Sequence, residues 1–162
     1  MRICLIEPGS PFLLDARVFV SLGVLQVGAV LREAGHEVYF EDFNGRPDFM
    51  SVLSETVKKA SWDCYALTST TPQFPDAIQI LQRIRELDPG KRIIIGGPHP
   101  TIMPESCKMF DCVVQGDGEL AVLEAIQDSA PSLLDYASAT TKGTLRWHWP
   151  ARDLADMESY KY

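Results

Sequence analysis

"RIIIGGPHPTIMPE", residues 92–105, sets Arg-Ile-Ile-Ile against Gly96 and Gly97 and then turns into Pro-His-Pro-Thr. A β-branched apolar run halted by paired glycines reads as a buried strand with an unusually bare carboxyl end. Glycines at that point let a ligand approach the backbone closely. The alternative is that they only build a turn with positive φ. On the first reading, Gly97→Val is expected to spare the apo fold and abolish ligand binding.

Working outward, the same alternation of strand and helix recurs five times through residue 128. The strands are "RICLIE", "HEVYFED", "DCYALTST", "RIIIGG" and "DCVVQGDG". Between them lie "SLGVLQVGAVLREAG", "PDFMSVLSETVKKA", "QFPDAIQILQRIRELDPG" and a short helix expected at "PESCKMF", with "ELAVLEAIQDS" last. Gly35 suits a helix C-terminus, and Pro47 and Asp48 suit a helix start. Apolar strands separated by helices imply a parallel sheet covered on both faces. The expected fold is α/β, a flavodoxin-like (Rossmann-like) doubly wound sheet of five strands in the order 2-1-3-4-5, with ligands at the carboxyl ends of strands one, three and four. Residues 1–128 form the expected domain, and 129–162 a linker or tail in which Trp147 and Trp149 are expected to cover a flank.

The chain has 162 residues, 46% hydrophobic and 23% charged, enough for one domain with a core. A formal charge of −7 argues against nucleic acid as a partner. No apolar run reaches membrane length and no cleavable signal opens the chain, so the expectation is a cytoplasmic protein with no membrane partner. Cys4, Cys64, Cys107 and Cys112 form no CxxC pair. Cys4 and Cys64 sit in apolar strands and read as buried thiols, and no metal or iron–sulfur ligand set is apparent.

The expected strand-end loops are "EPGSPFLLDARVF", "STTPQFP", "GGPHPT" and "GDGE". They lack the acidic cluster, Asp and Lys of a phosphoacceptor receiver, and the GxGxxG of a dinucleotide site. A flavin site would want a first loop dense in Ser, Thr and Gly, and this one holds a single Ser.

"SLGVLQVGAVLREAGHEVYFEDFNG", "IIIGGPHPTIMPE" and "DCVVQGDGE" together resemble the amino-terminal cobalamin-binding domain of cobalamin-dependent radical SAM enzymes, the group of magnesium-protoporphyrin monomethyl ester cyclase and radical SAM methyltransferases. "WPARDLADMESY" resembles the linker that precedes the radical SAM domain in such enzymes. The resemblance implies cobalamin as cofactor and a radical SAM domain as partner, in cis or in trans. The iron–sulfur cluster and S-adenosylmethionine would belong to that domain, so this chain alone is expected not to be catalytic. Residues 7–21 contain no His. The resemblance accordingly implies cobalamin bound base-off with no protein His on cobalt, an arrangement suited to methyl transfer or oxidative cyclisation by the parent enzyme. The alternative is a cofactor-free module of the same fold that docks substrate or partner.

The candidate cofactor contacts are Pro11, Phe12, Leu13 and Leu14 under or beside the corrin ring, and Ser69, Thr70 and Thr71 at the third strand end. Gly96, Gly97 and His99 follow at the fourth strand end, and Gly116, Gly118 and Glu119 at the fifth. His99 reads as an axial ligand, a hydrogen-bond donor to corrin amides or a turn residue. Glu119 starts a helix, where the dipole favours a carboxylate with or without a ligand.

Overall fold

A computed structural model describes residues 1–11, 15, 17–137 and 148–161. The expected contacts Phe12, Leu13 and Leu14, together with Trp147, lie outside the described residues. Strands β1 (Arg2–Glu7), β2 (Glu37–Asp42), β3 (Cys64–Thr68), β4 (Arg92–Gly96), β5 (Cys112–Gln115) and β6 (Leu133–Asp135) pair in the order β2-β1-β3-β4-β5-β6. All pairs are parallel, with Leu67 opposite Ile95 and Thr68 opposite Gly96. The fold is therefore the expected flavodoxin-like one, enlarged from five strands to six. β6 escaped notice because it is three residues long and follows a Ser- and Pro-containing stretch, so no alternation could develop.

Helices α1 (Leu22–Glu33) and α5 (Gly118–Ala125) cover one face of the sheet. The opposite face carries α2 (Phe49–Lys59), α3 (Phe74–Leu87), and a short helix α4 (Pro98–Ile102) with the 3-10 turn Pro104–Cys107 behind it. Strand residues alternate between the two layers because side chains on a strand alternate faces. Leu5, Ala66, Ile94 and Val114 join the α1/α5 layer, whereas Ile6, Tyr65, Leu67, Ile93 and Ile95 join the other. All four cysteines are free and buried.

The helix expected over "PESCKMF" is a 3-10 turn, Pro104–Cys107, and a separate helix, α4, precedes it where the residue pattern suggested none. Pro98 sits at the first helical position, where its fixed φ is already helical and its missing N–H costs nothing. Gly97 supplies the preceding break, with φ +103° and ψ −172°. α4 is then fastened to β5: Gln115 Nε2 donates to the Thr101 carbonyl at 2.9 Å, and Gly116 N–H donates to Thr101 Oγ1 at 3.0 Å.

The tail returns across α1. Ala151 N–H donates to the Leu25 carbonyl, Arg32 pairs with Asp153, and Leu154 packs so closely over Gly28 that a Cβ there would lie 2.8 Å from Leu154 Cδ1. Farther on, Tyr160 donates to buried Asp42, Arg17 donates to Ser159, and the Arg17 guanidinium lies 5.3 Å from the centre of the Tyr160 ring. Trp149 is 83% exposed and covers no flank, contrary to expectation. The tail docks instead through the smaller Leu154 and through polar contacts on α1 and the β1–α1 loop. Among the described residues no helix is long and apolar enough to cross a membrane.

Candidate functional site

On the α2/α3/α4 side, side chains fill the layer up to the strand ends. On the other side the packing stops short, and a cleft of about 370 Å³ opens between α1, α5 and the carboxyl halves of β1, β3, β4 and β5. Its floor is Leu5, Ala66, Ile94 and Val114, and its helical walls are Gly23, Val24, Val27 and Val122. A second, adjoining cavity of about 490 Å³ lies beneath the β1–α1 loop and shares Glu7, Ser21, Thr70 and Gln73 with the first. Both volumes fall in the range usual for ligand sites, and the first is apolar with a few polar groups at its rim.

Two glycines keep the first cleft open. Gly96 is the β4 residue on the same face as Ile94, and a Cβ there would meet only Val114, its Cβ at an ordinary 3.6 Å and its carbonyl oxygen at 4.0 Å. Gly23, in the first turn of α1, has nothing within 4 Å of its missing Cβ. A helical glycine costs about 1 kcal/mol relative to Ala. Nothing in the described protein requires one at position 23, so the space beside it suits a ligand. Ser21 caps α1 without spending its side chain on a helical N–H, and it lines both cavities.

Gly97 serves a different purpose. Its φ of +103° is left-handed, and a Cβ would fall 2.8 Å from Thr68 Oγ1 and 3.0 Å from both the Ser69 N and O atoms. The protein's own turn demands this glycine, so the expectation that Gly97→Val would spare the apo fold is reversed. Gly116 is held likewise by a close approach of backbone, since its Cβ would lie 2.5 Å from Ala137 N.

The remaining expected contacts divide by face. Thr70, Gly96, Gly97, Gly116, Gly118 and Glu119 line the cleft. Ser69 does not: it is fully buried, its N–H donates to Gly96, its carbonyl accepts from His99 N–H, and its hydroxyl donates to the Thr70 carbonyl. Thr71 Oγ1 lies 3.2 Å from His99 Nδ1, away from the cleft lining. Pro11 is exposed on the first loop.

His99 is 4% exposed and engaged on both ring nitrogens, with Ser106 Oγ 3.0 Å from Nε2. It stacks on Phe74 with centroids 4.0 Å apart, and burial holds its pKa below the usual histidine value. Of the three roles open to it in the sequence, the structure supplies that of a turn residue, bracing α4 against α3. His36 sits at the opposite, amino-terminal end of the strands beside the N-terminal amine, and His148 contacts Glu33 at 3.2 Å.

Glu7 was missed as a site residue, along with Ser21, Gly23, Thr68 and Asp117. It ends β1 beside Asp42 of β2 and stands at the wall shared by the two cavities. Gln73 holds it: Nε2 donates to Glu7 Oε1 at 3.3 Å and to the Pro8 carbonyl at 2.9 Å, while Oε1 accepts from Thr70 N–H and Oγ1. Burial, and then the charge of Asp42, push the Glu7 carboxyl up to about 7, only partly opposed by hydrogen bonds from Gln73, Asn44 and Ser21. Asp42 meets better company, accepting from Asn44 N–H and Nδ2 and from Tyr160. Among the described residues no group of three or more His, Cys, Asp or Glu side chains is arranged to hold a metal ion.

Comparison with known proteins places this geometry. Residues 16–126 match the B12 binding domain family. An uncharacterized methyltransferase of Pyrococcus horikoshii is 28% identical over 133 residues, covering 78% of this chain and 29% of that protein. The anaerobic magnesium-protoporphyrin IX monomethyl ester cyclase of Synechocystis is 28% identical over 139 residues, covering 78% of this chain and 27% of the cyclase. The chain thus spans less than a third of the length of either. The radical S-adenosylmethionine methyltransferase TsrM of Kitasatospora setae shares the fold. Its structure with tryptophan and a SAM analogue aligns at TM-score 0.66 and 19% identity, over 77% of this chain and 25% of TsrM. Its structure with cobalamin and a [4Fe-4S] cluster aligns at TM-score 0.54 and 21% identity, over 64% of this chain and 19% of TsrM. The match over residues 16–126 is decisive: the chain belongs to the B12 binding domain family, as the resemblance in its sequence implies, and its cofactor is cobalamin.

Proposed function

We propose that the chain is the cobalamin-carrying module of a cobalamin-dependent radical SAM enzyme, and that it holds the cofactor base-off with no histidine of its own on cobalt. The observation that carries this reading is the cleft between α1 and α5, kept open by Gly23 and Gly96 although neither glycine is needed by the surrounding packing. A flat base and its sugar need backbone within van der Waals contact, and this cleft offers it on two sides. Leu5, Ala66, Ile94 and Val114 give the floor an apolar surface, and Ser21, Thr68 and Thr70 supply hydroxyls at its rim. None of the three histidines lines the cleft. Pro11, Phe12, Leu13 and Leu14 are assigned a place under or beside the ring on the resemblance alone.

Cobalamin, when bound, supplies cobalt-centred methyl-transfer chemistry. The residues of this chain bind it, orient it and keep water out of the cleft. The iron–sulfur cluster and S-adenosylmethionine belong to the radical SAM domain that residues 129–162 lead toward, and the choice between methyl transfer and oxidative cyclisation rests there.

The test is equilibrium dialysis of the isolated chain with hydroxocobalamin, followed by electron paramagnetic resonance of the reduced Co(II) form. The expected result is stoichiometric retention, a base-off visible spectrum and no strong nitrogen coupling from protein. Retention no greater than that of a control protein would leave only a cofactor-free docking module. Strong protein nitrogen coupling would overturn the His-free assignment.

A further inference from the structure

Every charged residue that lines either cavity, among the described residues, is acidic. Asp42 adjoins Glu7 on β2, Asp15 lines the second cavity, and Asp117 and Glu119 line the first. Asp76 stands at the start of α3 near Gly9, and Tyr160 of the tail reaches Asp42. Arg17 is committed to Asp42 and Asn44: Nε donates to the Asn44 carbonyl at 3.1 Å, and one Nη donates to the Asp42 carbonyl at 3.2 Å and lies 3.7 Å from Asp42 Oδ2. No Lys or Arg is among the described residues lining either cavity. Among the described residues no cation pairs with Glu7 to hold it ionised, and Gln73, pinned by Pro8 and Thr70, fixes one carboxyl oxygen in place. A ligand spanning both cavities must pass this carboxyl.

We propose that Glu7 meets the bound cofactor as an uncharged carboxylic acid and donates a hydrogen bond to one of its acceptor oxygens. The inference rests on the cobalamin reading. A ligand filling the cleft removes water from a buried carboxyl that has an acidic neighbour, which favours the neutral acid further. Binding then takes up a proton wherever the apo carboxyl is ionised, and affinity falls as pH rises through the carboxyl's titration. In this arrangement Glu7 is a binding residue and Gln73 positions it.

The experiment measures the affinity of the chain for methylcobalamin, in the dark, from pH 5.5 to 8.5, with apo melting recorded at each pH. Wild-type affinity is expected to be level at the acid end and to fall about tenfold per pH unit once Glu7 is ionised. Glu7→Gln, which keeps a donor and carries no charge, is expected to bind with a flat profile near the wild-type acid limit. Asp42→Asn, which removes the neighbouring charge, is expected to move the wild-type midpoint to lower pH. A flat wild-type profile overturns the proposal, as does a folded Glu7→Gln that keeps the slope or loses binding. Absence of methylcobalamin binding at every pH would instead overturn the cobalamin reading itself.

Discussion

The two faces of the sheet are built from the same strands, yet one is filled to its edge and the other is not. On the α2/α3/α4 face, Tyr65, Ile93 and Ile95 are fully buried and His99 is locked between Thr71 and Ser106. On the α1/α5 face the core ends at Ala66, Ile94 and Val114, and the next residues along β3 and β4 on that face are Thr68 and Gly96. Strand alternation therefore gives adjacent residues opposite duties. Gly96 leaves room for something outside the chain, and Gly97 leaves room for the chain itself. A paired glycine at a strand end is thus two signals rather than one.

The sharpest way to break this contrast is to add bulk where the chain itself already fills the space. Gly97→Val should cost the apo domain roughly 3 kcal/mol or more, because it combines a left-handed φ with clashes against Thr68 and Ser69. Chemical denaturation would show it, and a stable apo variant would refute the assignment.

Glu7→Gln comes next, through pH. A carboxyl raised from 4.5 to about 7 by folding contributes its full stability below pH 4.5 and loses it as pH rises through 7. Removing the charge should therefore stabilise the apo domain above pH 7 by up to about 3 kcal/mol, with little effect near pH 4. Urea midpoints across that range check both the sign and the window.

His99→Ala should cost about 2 kcal/mol, from lost stacking on Phe74 and from leaving Thr71 and Ser106 without their ring partner. Cobalamin affinity and the Co(II) spectrum of the folded variant should be unchanged, and an altered spectrum would move His99 to the open side. The smallest effect belongs to the tail. Leu154→Ala removes partly buried contact with α1 and should cost about 1 kcal/mol, read as a small drop in the melting midpoint.

Much of this architecture was legible in the sequence because hydrophobic periodicity reports burial directly. "RIIIG", "CYALT" and "RICLIE" could only be strands covered on both faces, and their order follows from right-handed crossovers. β6 was hidden by its length, and α4 by a Pro-His-Pro run that reads as loop until the fixed φ of Pro98 is seen to continue into a helix. The site was half legible. Glycines and hydroxyls at strand ends are visible as residue types, but which face each one takes depends on where the strand stops. One residue of shift exchanges Thr68 for Ser69. Glu7 was invisible as a titrating group because its raised pKa comes from burial and then from Asp42, both set by tertiary packing and strand pairing rather than by neighbours in sequence. Gly23 did leave a signal, a glycine in the first turn of an expected helix, which periodicity alone does not weigh.

On the proposed function, Gly96 leaves its space to the cofactor and not to the fold. The most direct measurement is the hydroxocobalamin affinity of Gly96→Val alongside the melting temperature of its apo form. An apo melting temperature within a few degrees of wild type is expected, because the new Cβ meets Val114 at an ordinary distance. Affinity should fall roughly a hundredfold, a loss on the order of 3 kcal/mol. Wild-type affinity in the folded variant, or an apo protein that no longer folds, would contradict the account.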